Sequence, residues 1–555
     1  MPASELDRKF DAALAVVTGP GGQVVIGHDA EGREIVTNFP ATLPGFFKAF
    51  CALNAAVEAV VSGSERLTFG ALDALSDRLA RGLLARGIAK GDRVAIAMRN
   101  CPSWIVAYMA AIKAGAIATL LNGWWQVDEL SHALTLTEPK LILADDPRAQ
   151  RIAAAKGSYT VATIVIEKPL EAAFADWLDA TNDSLALPEI TPEDDATILF
   201  TSGSTGEAKG ALSTHRAVTT GVYSYATSLL TLRGILESEG RPPVNPPRTL
   251  VAVPLFHVTG EVPVMLNSFV IGRGMVLMPK WDAGEALRLI EREKVTYFVG
   301  VPTMSLELMN HSDRDNYDLS TLTDITGGGA PRPVAHVERL RAAFPNSQPA
   351  LGYGLTETNA VGCGNFWSNY TAKPASTGRP QPLLKLAILG DDDRHLGPGE
   401  RGEIAIRSAA NITGYWKDEA ATAAAFTDDL YLKSGDIGYL DEDGYLFIVD
   451  RKKDIIIRGG ENISAAEVEA ALYACEGIAE AAVFGAADER LGEVPVAIIF
   501  RREGSSLSEE DLRAFLDGRL SAFKVPARMI FSDEPLPRLG TGKIDRLVLK
   551  QKFAG

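Results

Sequence analysis

Residues Leu199-Phe200-Thr201-Ser202-Gly203-Ser204-Thr205-Gly206-Glu207-Ala208-Lys209-Gly210 concentrate hydroxyls, glycines and one lysine immediately after an apolar run. Glycines let the backbone approach a ligand closely, and successive N–H groups in such a loop can form a nest for an anion. The hydroxyls of Thr201, Ser202, Ser204 and Thr205 add donors, Gly203 and Gly206 leave space, and Lys209 adds a charge. Together they suit a polyphosphate. The spacing is not that of a Walker A loop, which closes on Gly-Lys-Ser/Thr; Ala208-Lys209-Gly210 stands in that place. The bland alternative is a polar linker, which would seldom follow so apolar a strand.

Other segments add functional groups of their own. Gly327-Gly328-Gly329-Ala330-Pro331 follows a presumptive strand at residues 324–326 and leaves room for a flat ring; alone it reads equally well as a turn. Gly352-Tyr353-Gly354-Leu355-Thr356-Glu357-Thr358 offers a ring face at Tyr353, a hydroxyl at Thr356 and, at Glu357, a hard oxygen ligand for Mg²⁺; a hairpin turn with an exposed Glu is its bland reading. Ser434-Gly435-Asp436 places a carboxylate where two ribose hydroxyls can donate to it. The charge run Asp450-Arg451-Lys452-Lys453-Asp454 reads by itself as a solvated turn, and Lys543 in Gly540-Thr541-Gly542-Lys543 as an exposed loop lysine.

In this order, over roughly residues 50 to 555, the segments resemble the adenylate-forming superfamily of acyl-CoA synthetases, peptide-synthetase adenylation domains and luciferases. That resemblance implies an α/β fold: a large N-terminal domain, residues 1–450, of two α/β subdomains plus a β-barrel, then a small mobile α/β C-terminal domain, residues 451–555. It implies two half-reactions, in which a carboxylate attacks the α-phosphate of ATP and a thiol, often that of coenzyme A, then displaces AMP. Position by position, Thr201 to Lys209 resembles the loop that holds the β- and γ-phosphates, and Gly328, Gly329, Ala330 and Tyr353 the adenine site. Thr356 would meet the α-phosphate, Glu357 would hold Mg²⁺, and Asp436 with Arg451 would bind the ribose. Lys543 resembles the adenylation lysine, Lys453 the hinge of the C-terminal domain, and Gly459-Gly460 the border of the pantetheine tunnel, with Arg458 a coenzyme A contact. His257, in Pro254-Leu255-Phe256-His257-Val258-Thr259-Gly260, resembles a gate on the acyl pocket; a satisfied core histidine is its bland reading. Leu351 departs mildly from the family, where a polar residue is common.

Gly459-Gly460-Glu461-Asn462-Ile463 looks most like bacterial synthetases of medium- and long-chain acids. The chain ends at Gly555, shortly after Lys543, so a ligase without an attached carrier domain is expected. Fatty, aryl and alicyclic acids all stay open as substrates. So do delivery to a separate carrier protein and a catalytically silent nucleotide-binding protein, although intact Lys543 and Glu357 speak against the last.

Length and composition set the frame. At 555 residues the chain exceeds what one hydrophobic core organises. A net charge of −16 disfavours nucleic acid and anionic membrane surfaces as partners. The partners expected are a small carboxylic acid, ATP and coenzyme A, with homodimerisation open. Cys51, Cys101, Cys363 and Cys475 have neither metal-site nor redox-pair spacing, which fits a reducing, cytoplasmic setting. The apolar stretch 104–125 is broken by Lys113, Gly115 and Asn122 and reads as a core helix, a turn and a buried strand rather than a membrane span. Strand–helix alternation from residue 72 to 144 and again from 249 to 299 implies parallel sheets covered by helices. Strands at 384–389, 402–406 and 445–449 form the barrel-like part, and residues after 451 a compact α/β piece. The first 45 residues read as an irregular extension, and Trp124-Trp125 as packing within the first subdomain.

Overall fold

The computed structural model describes residues 4–179, 183–201, 208–329, 332–452, 454–458, 461–517, 519–539 and 543–553. Two sheets carry the large N-terminal part. One has seven strands, in the order Gly414–Tyr415, Lys209–Thr214, Asp195–Thr201, Ile117–Leu120, Arg93–Ala97, Leu141–Asp145, Val161–Ile164. The other has nine, with Gln348–Gly354, Asp324–Gly327, Tyr297–Gly300, Arg248–Val251 and Gly274–Leu277 as its parallel centre. Parallel strands covered on both faces need apolar side chains on both, and Ile117–Leu120, Leu141–Asp145 and Gly274–Leu277 are buried throughout.

Helix Pro102–Lys113 is buried along its whole length in the largest core cluster, which draws on both sheets. Its lysine, which interrupts the apolar stretch in the sequence, is satisfied there. Lys113 Nζ donates to Asp73 Oδ1 at 2.6 Å, Asp77 Oδ1 at 2.7 Å and Ser76 Oγ at 2.8 Å. Among the described residues no helix is long and apolar enough to cross a membrane.

A four-stranded antiparallel sheet follows, in the order Leu384–Leu389, Gly402–Ser408, Leu432–Leu440, Leu446–Arg451. The last sheet, at the C-terminal end, pairs the long strands Ile478–Asp488 and Gly492–Arg501, with Ile456–Arg458, Glu461–Ile463 and Arg528–Ser532 joined to them. Helices Ala465–Tyr473 and Glu509–Leu516 contribute to its separate core.

The N-terminal stretch is not irregular. Glu5–Thr18 is a helix, and Ile26–His28 pairs with Glu34–Val36. The helix begins in a capping box, in which the Ser4 hydroxyl accepts from Asp7 N at 2.9 Å and Asp7 Oδ2 accepts from Ser4 N at 3.3 Å. The same Asp7, 5% exposed, accepts from Asn369 Nδ2 at 3.0 Å, the Tyr445 hydroxyl at 2.9 Å and Arg379 at 3.3 Å. One buried carboxylate thus ties the first helix to helix Trp367–Ala372 and to the small antiparallel sheet. Removing one partner of a buried, hydrogen-bonded charge is costly. Asp7→Ala is therefore expected to destabilise the protein by about 3 kcal/mol, read as a lower midpoint in urea; a change below about 0.5 kcal/mol would show that the helix is not anchored through Asp7.

Candidate active site

The phosphate loop is the connection of a β-hairpin. Asp195–Thr201 and Lys209–Thr214 run antiparallel, and Thr201 and Lys209 are cross-strand partners. Lys209, expected at a loop end, therefore lies on a strand. Its ammonium is 3.5 Å from Asp418 Oδ2 and 5.1 Å from the centre of the Tyr415 ring. Ser202, Gly203, Ser204, Thr205 and Gly206 lie outside the described residues, as do Ala330, Lys453, Gly459 and Gly460.

Register builds the next part. Asp436 and Arg451 are directly opposed on the antiparallel strands Leu432–Leu440 and Leu446–Arg451, and Arg451 Nε lies 3.1 Å from Asp436 Oδ1. Tyr353, on a strand of the nine-stranded sheet, donates its hydroxyl to Asp436 Oδ2 at 2.8 Å. Gly435 sits at φ 72°, a conformation that disfavours any side chain. Glu357, in the short 3-10 turn Thr356–Thr358, accepts from the Tyr415 hydroxyl at 2.9 Å. Burial raises the Glu357 carboxyl above its usual range, with Arg451 opposing and Asp436 reinforcing that shift. Burial likewise raises Asp436, opposed by Arg451, Tyr353 and Lys543.

Lys543 reaches this cluster from the C-terminal end of the chain. It lines one pocket together with Val253, Pro254, His257, Thr259, Gly300, Val301, Gly328 and Gly329. Burial, then the guanidinium of Arg451, pushes its ammonium down to about 8, against the pull of Asp436. His257 is pushed down to about 3 by burial and by Lys543, so the ring is neutral at physiological pH. Its Nδ1 accepts from Thr259 N at 3.3 Å, which assigns the proton to Nε2. The bland reading of His257, a satisfied core residue, does not fit a ring that lines the pocket beside Lys543. Arg458 donates to the Phe523 carbonyl oxygen, and so is anchored within the C-terminal part.

Two features here carried no chemical label in the sequence. Buried Asn100 donates to the carbonyls of Val251 and Val253, at 3.2 and 2.9 Å, and accepts from Leu255 N at 3.0 Å. It pins the turn that presents His257 to a loop of the seven-stranded sheet. Trp124 corrects an expectation. Trp125 packs edge-on against Phe200 at 5.0 Å, within its own subdomain, but Trp124 packs edge-on against Phe256 at 5.0 Å, across the two sheets, and stays 41% exposed.

The geometry accepts a nucleotide. A side chain added at Gly352 would meet nothing within 4 Å, and one at Gly328 only the Gly352 carbonyl at 3.8 Å, so an open strip runs along these strand ends. Among the described residues no group of three or more His, Cys, Asp and Glu could hold a metal. A single carboxylate such as Glu357 suits an Mg²⁺ ion that brings waters and phosphate oxygens with it.

A family model described as AMP-binding enzyme matches residues 47–416, and one described as AMP-binding enzyme C-terminal domain matches residues 467–543. This chain belongs to the AMP-binding enzyme family. The long-chain-fatty-acid–CoA ligase of Bacillus subtilis is 34% identical over 516 residues, covering 87% of this chain and 89% of that protein. The feruloyl-CoA synthase of an Amycolatopsis species is 35% identical over 498 residues, covering 89% and 96%. The crystal structure of ATP-bound MatB from Rhodopseudomonas palustris superposes with a TM-score of 0.81 at 27% identity, covering 92% of this chain and 99% of that one. The family and these relatives bear out the α/β architecture and AMP-forming acid–thiol ligation with ATP, Mg²⁺ and coenzyme A.

A charged Lys543 is needed to meet negative oxygens, and its proton is weakly held. kcat/KM for ATP reports the free enzyme, so it is expected to fall as pH rises through about 8. In Lys543→Arg, whose guanidinium keeps its proton, that alkaline limb should vanish. An unchanged limb in the arginine variant would assign the ionisation to another group.

Proposed function

We propose that this acid–CoA ligase activates a hydrophobic carboxylic acid, fatty or related, and that the residues gathered above divide the work. The observation that carries the reading is Lys543 in one pocket with His257, Gly328 and Gly329. Thr201, Lys209 and the residues between them hold the β- and γ-phosphates, Gly328, Gly329, Ala330 and Tyr353 the adenine, and Asp436 with Arg451 the ribose. Bound Mg²⁺, carried by Glu357, supplies neutralising charge on the phosphates.

Lys543 sits between the acid carboxylate and the α-phosphate and stabilises the charge that builds there, while Thr356 contacts the α-phosphate. Such a reaction gains chiefly from positioning and charge neutralisation. His257, neutral, with a hydrogen on Nε2, orients the acid without competing for its charge. We extend the reading to a homodimer and to a cytoplasmic setting. Four cysteines, all buried and unpaired, fit the latter, and mass in solution decides the former.

Nucleotide analysis tests the chemistry: with an accepted acid, ATP should give AMP and pyrophosphate, and stoichiometric ADP would overturn the reading. Lys543→Ala should lose adenylation by about 10²–10³ or more, with thioester formation from pre-made acyl-adenylate far less affected. Equal loss in both half-reactions would leave Lys543 structural or shared.

The second half-reaction needs Lys543 to withdraw. We place the hinge at Lys453, at the division between residues 1–450 and 451–555. Gly459-Gly460 and Arg458 then face coenzyme A. Proline fixes φ near −65° and restricts the residue before it. Lys453→Pro should keep adenylation within about tenfold, roughly 1.4 kcal/mol, and lose most thioester formation. Wild-type thioester turnover in that variant would remove Lys453 as the hinge.

A further inference from the structure

Four residues beyond His257 lies a carboxyl group that the reaction does not use. Glu261 is fully buried, in the π-helix Gly260–Leu266, every residue of which is buried. Its Oε1 accepts from the Tyr108 hydroxyl at 2.7 Å, while Oε2 has no hydrogen-bond partner among the described residues. Tyr108 stacks on Trp104, one turn away on helix Pro102–Lys113, at 5.5 Å and 12°. Trp104 Nε1, equally buried, is also without a partner. An open acceptor and an open donor therefore flank one hydrogen-bonded pair inside an apolar core.

This arrangement is costly as it stands. Burial raises the Glu261 carboxyl to about 7, and no cation offsets it. A buried polar group left unpaired destabilises a fold, whereas apolar residues of similar shape would not. π-helical turns concentrate at functional sites, and sequences break local rules mainly where function requires it. The turn is also deliberately supported: Pro263 lies within it, and buried Arg273 donates to the carbonyls of Pro263 and Val264, at 2.9 Å each.

Its place connects it to the acid. Glu261 N donates to the His257 carbonyl at 3.0 Å, so Glu261 follows His257 one turn along the same chain segment. His257 and Thr259 already line the pocket that holds Lys543. A helical side chain lies over the turn N-terminal to its own Cα, which here is the turn of His257.

Resting on the acid–CoA ligase reading, we propose that Glu261, with Tyr108 and Trp104, recognises a hydrogen-bonding oxygen on the tail of the acid, a hydroxyl or a keto group, so that the substrate class is oxygenated hydrophobic acids rather than plain hydrocarbon acids. As a carboxylate Glu261 accepts from a hydroxyl; as a carboxylic acid it donates to a ketone; Trp104 Nε1 supplies a donor in either case. No bond is made or broken at this subsite.

The test is pyrophosphate release over matched pairs of acids: decanoate against its terminally hydroxylated form and a keto form, and phenylpropanoate against its para-hydroxyl form. The wild-type enzyme should favour an oxygenated member by about tenfold or more in kcat/KM, since a site with built-in polar partners rejects the analogue that leaves them unpaired. Glu261→Leu and the double variant Tyr108→Phe/Glu261→Leu should lose or reverse that preference while still turning over the plain acid. In thermal melts without ligand the double variant should be at least as stable as wild type, because both partners are replaced together. A preference unchanged in the folded variants, or none in the wild type, overturns the proposal. So does a double variant that melts well below wild type, which would make the pair structural. Release with no acid at all would count against the acid–CoA ligase reading instead, and the melting comparison would still decide whether Glu261 is kept at a cost to stability.

Discussion

A lysine charge held in a pocket that disfavours it is the interaction on which the rest of this structure depends. Lys543 comes from the C-terminal end of the chain yet shares a pocket with residues of both N-terminal sheets' surroundings. Burial and Arg451 weaken its hold on a proton, and Asp436 alone opposes them. Such a charge is poorly solvated until negative oxygens arrive, and then gains more than it would in water. Arg451 and Asp436 are fixed by strand register, Tyr353 by its own strand, and Glu357 by Tyr415, so the field around Lys543 is set by backbone pairing rather than by mobile side chains.

The two large sheets position that field through a few cross-links. Asn100 carries the turn of His257 on three hydrogen bonds from the seven-stranded sheet's side. Trp124 presses on Phe256 from the same side. Asp7, at the other end of the molecule, joins the first helix to Tyr445 beside the strand that ends in Arg451. Each link is a short polar or aromatic contact between segments far apart in sequence.

How much of this the sequence disclosed follows from where the information is local. The chemistry of residues 201–209, 328–329, 353–357, 436, 451 and 543 is local in type and order, and the structure gathers the described ones around one pocket or its neighbours. Asn100 was silent because nothing distinguishes an asparagine in a loop until its tertiary partners are known. Glu261 was silent because an acid within an apolar run suggests an exposed helix face, and only packing shows it buried. The N-terminal helix was legible in principle: Ser4 and Asp7 form a capping box, but the glycines at 19, 21 and 22 and the turn signals after them obscured it. Lys209 was misplaced because its flanking glycine signals a loop, whereas pairing with Thr201 makes it a strand end.

That pairing has a consequence for how such an enzyme can change. Thr201 and Lys209 stand opposite each other whatever the intervening residues are, so the segment between them is anchored at neighbouring points of one sheet. Closing a connection between ends that already touch depends only slowly on its length. Substitution or resizing there leaves the strand ladder and the core beneath it untouched. Nucleotide handling can thus drift, or be engineered, as a separable cassette, while the acid-binding wall around His257 evolves on a different strand end and under different constraints.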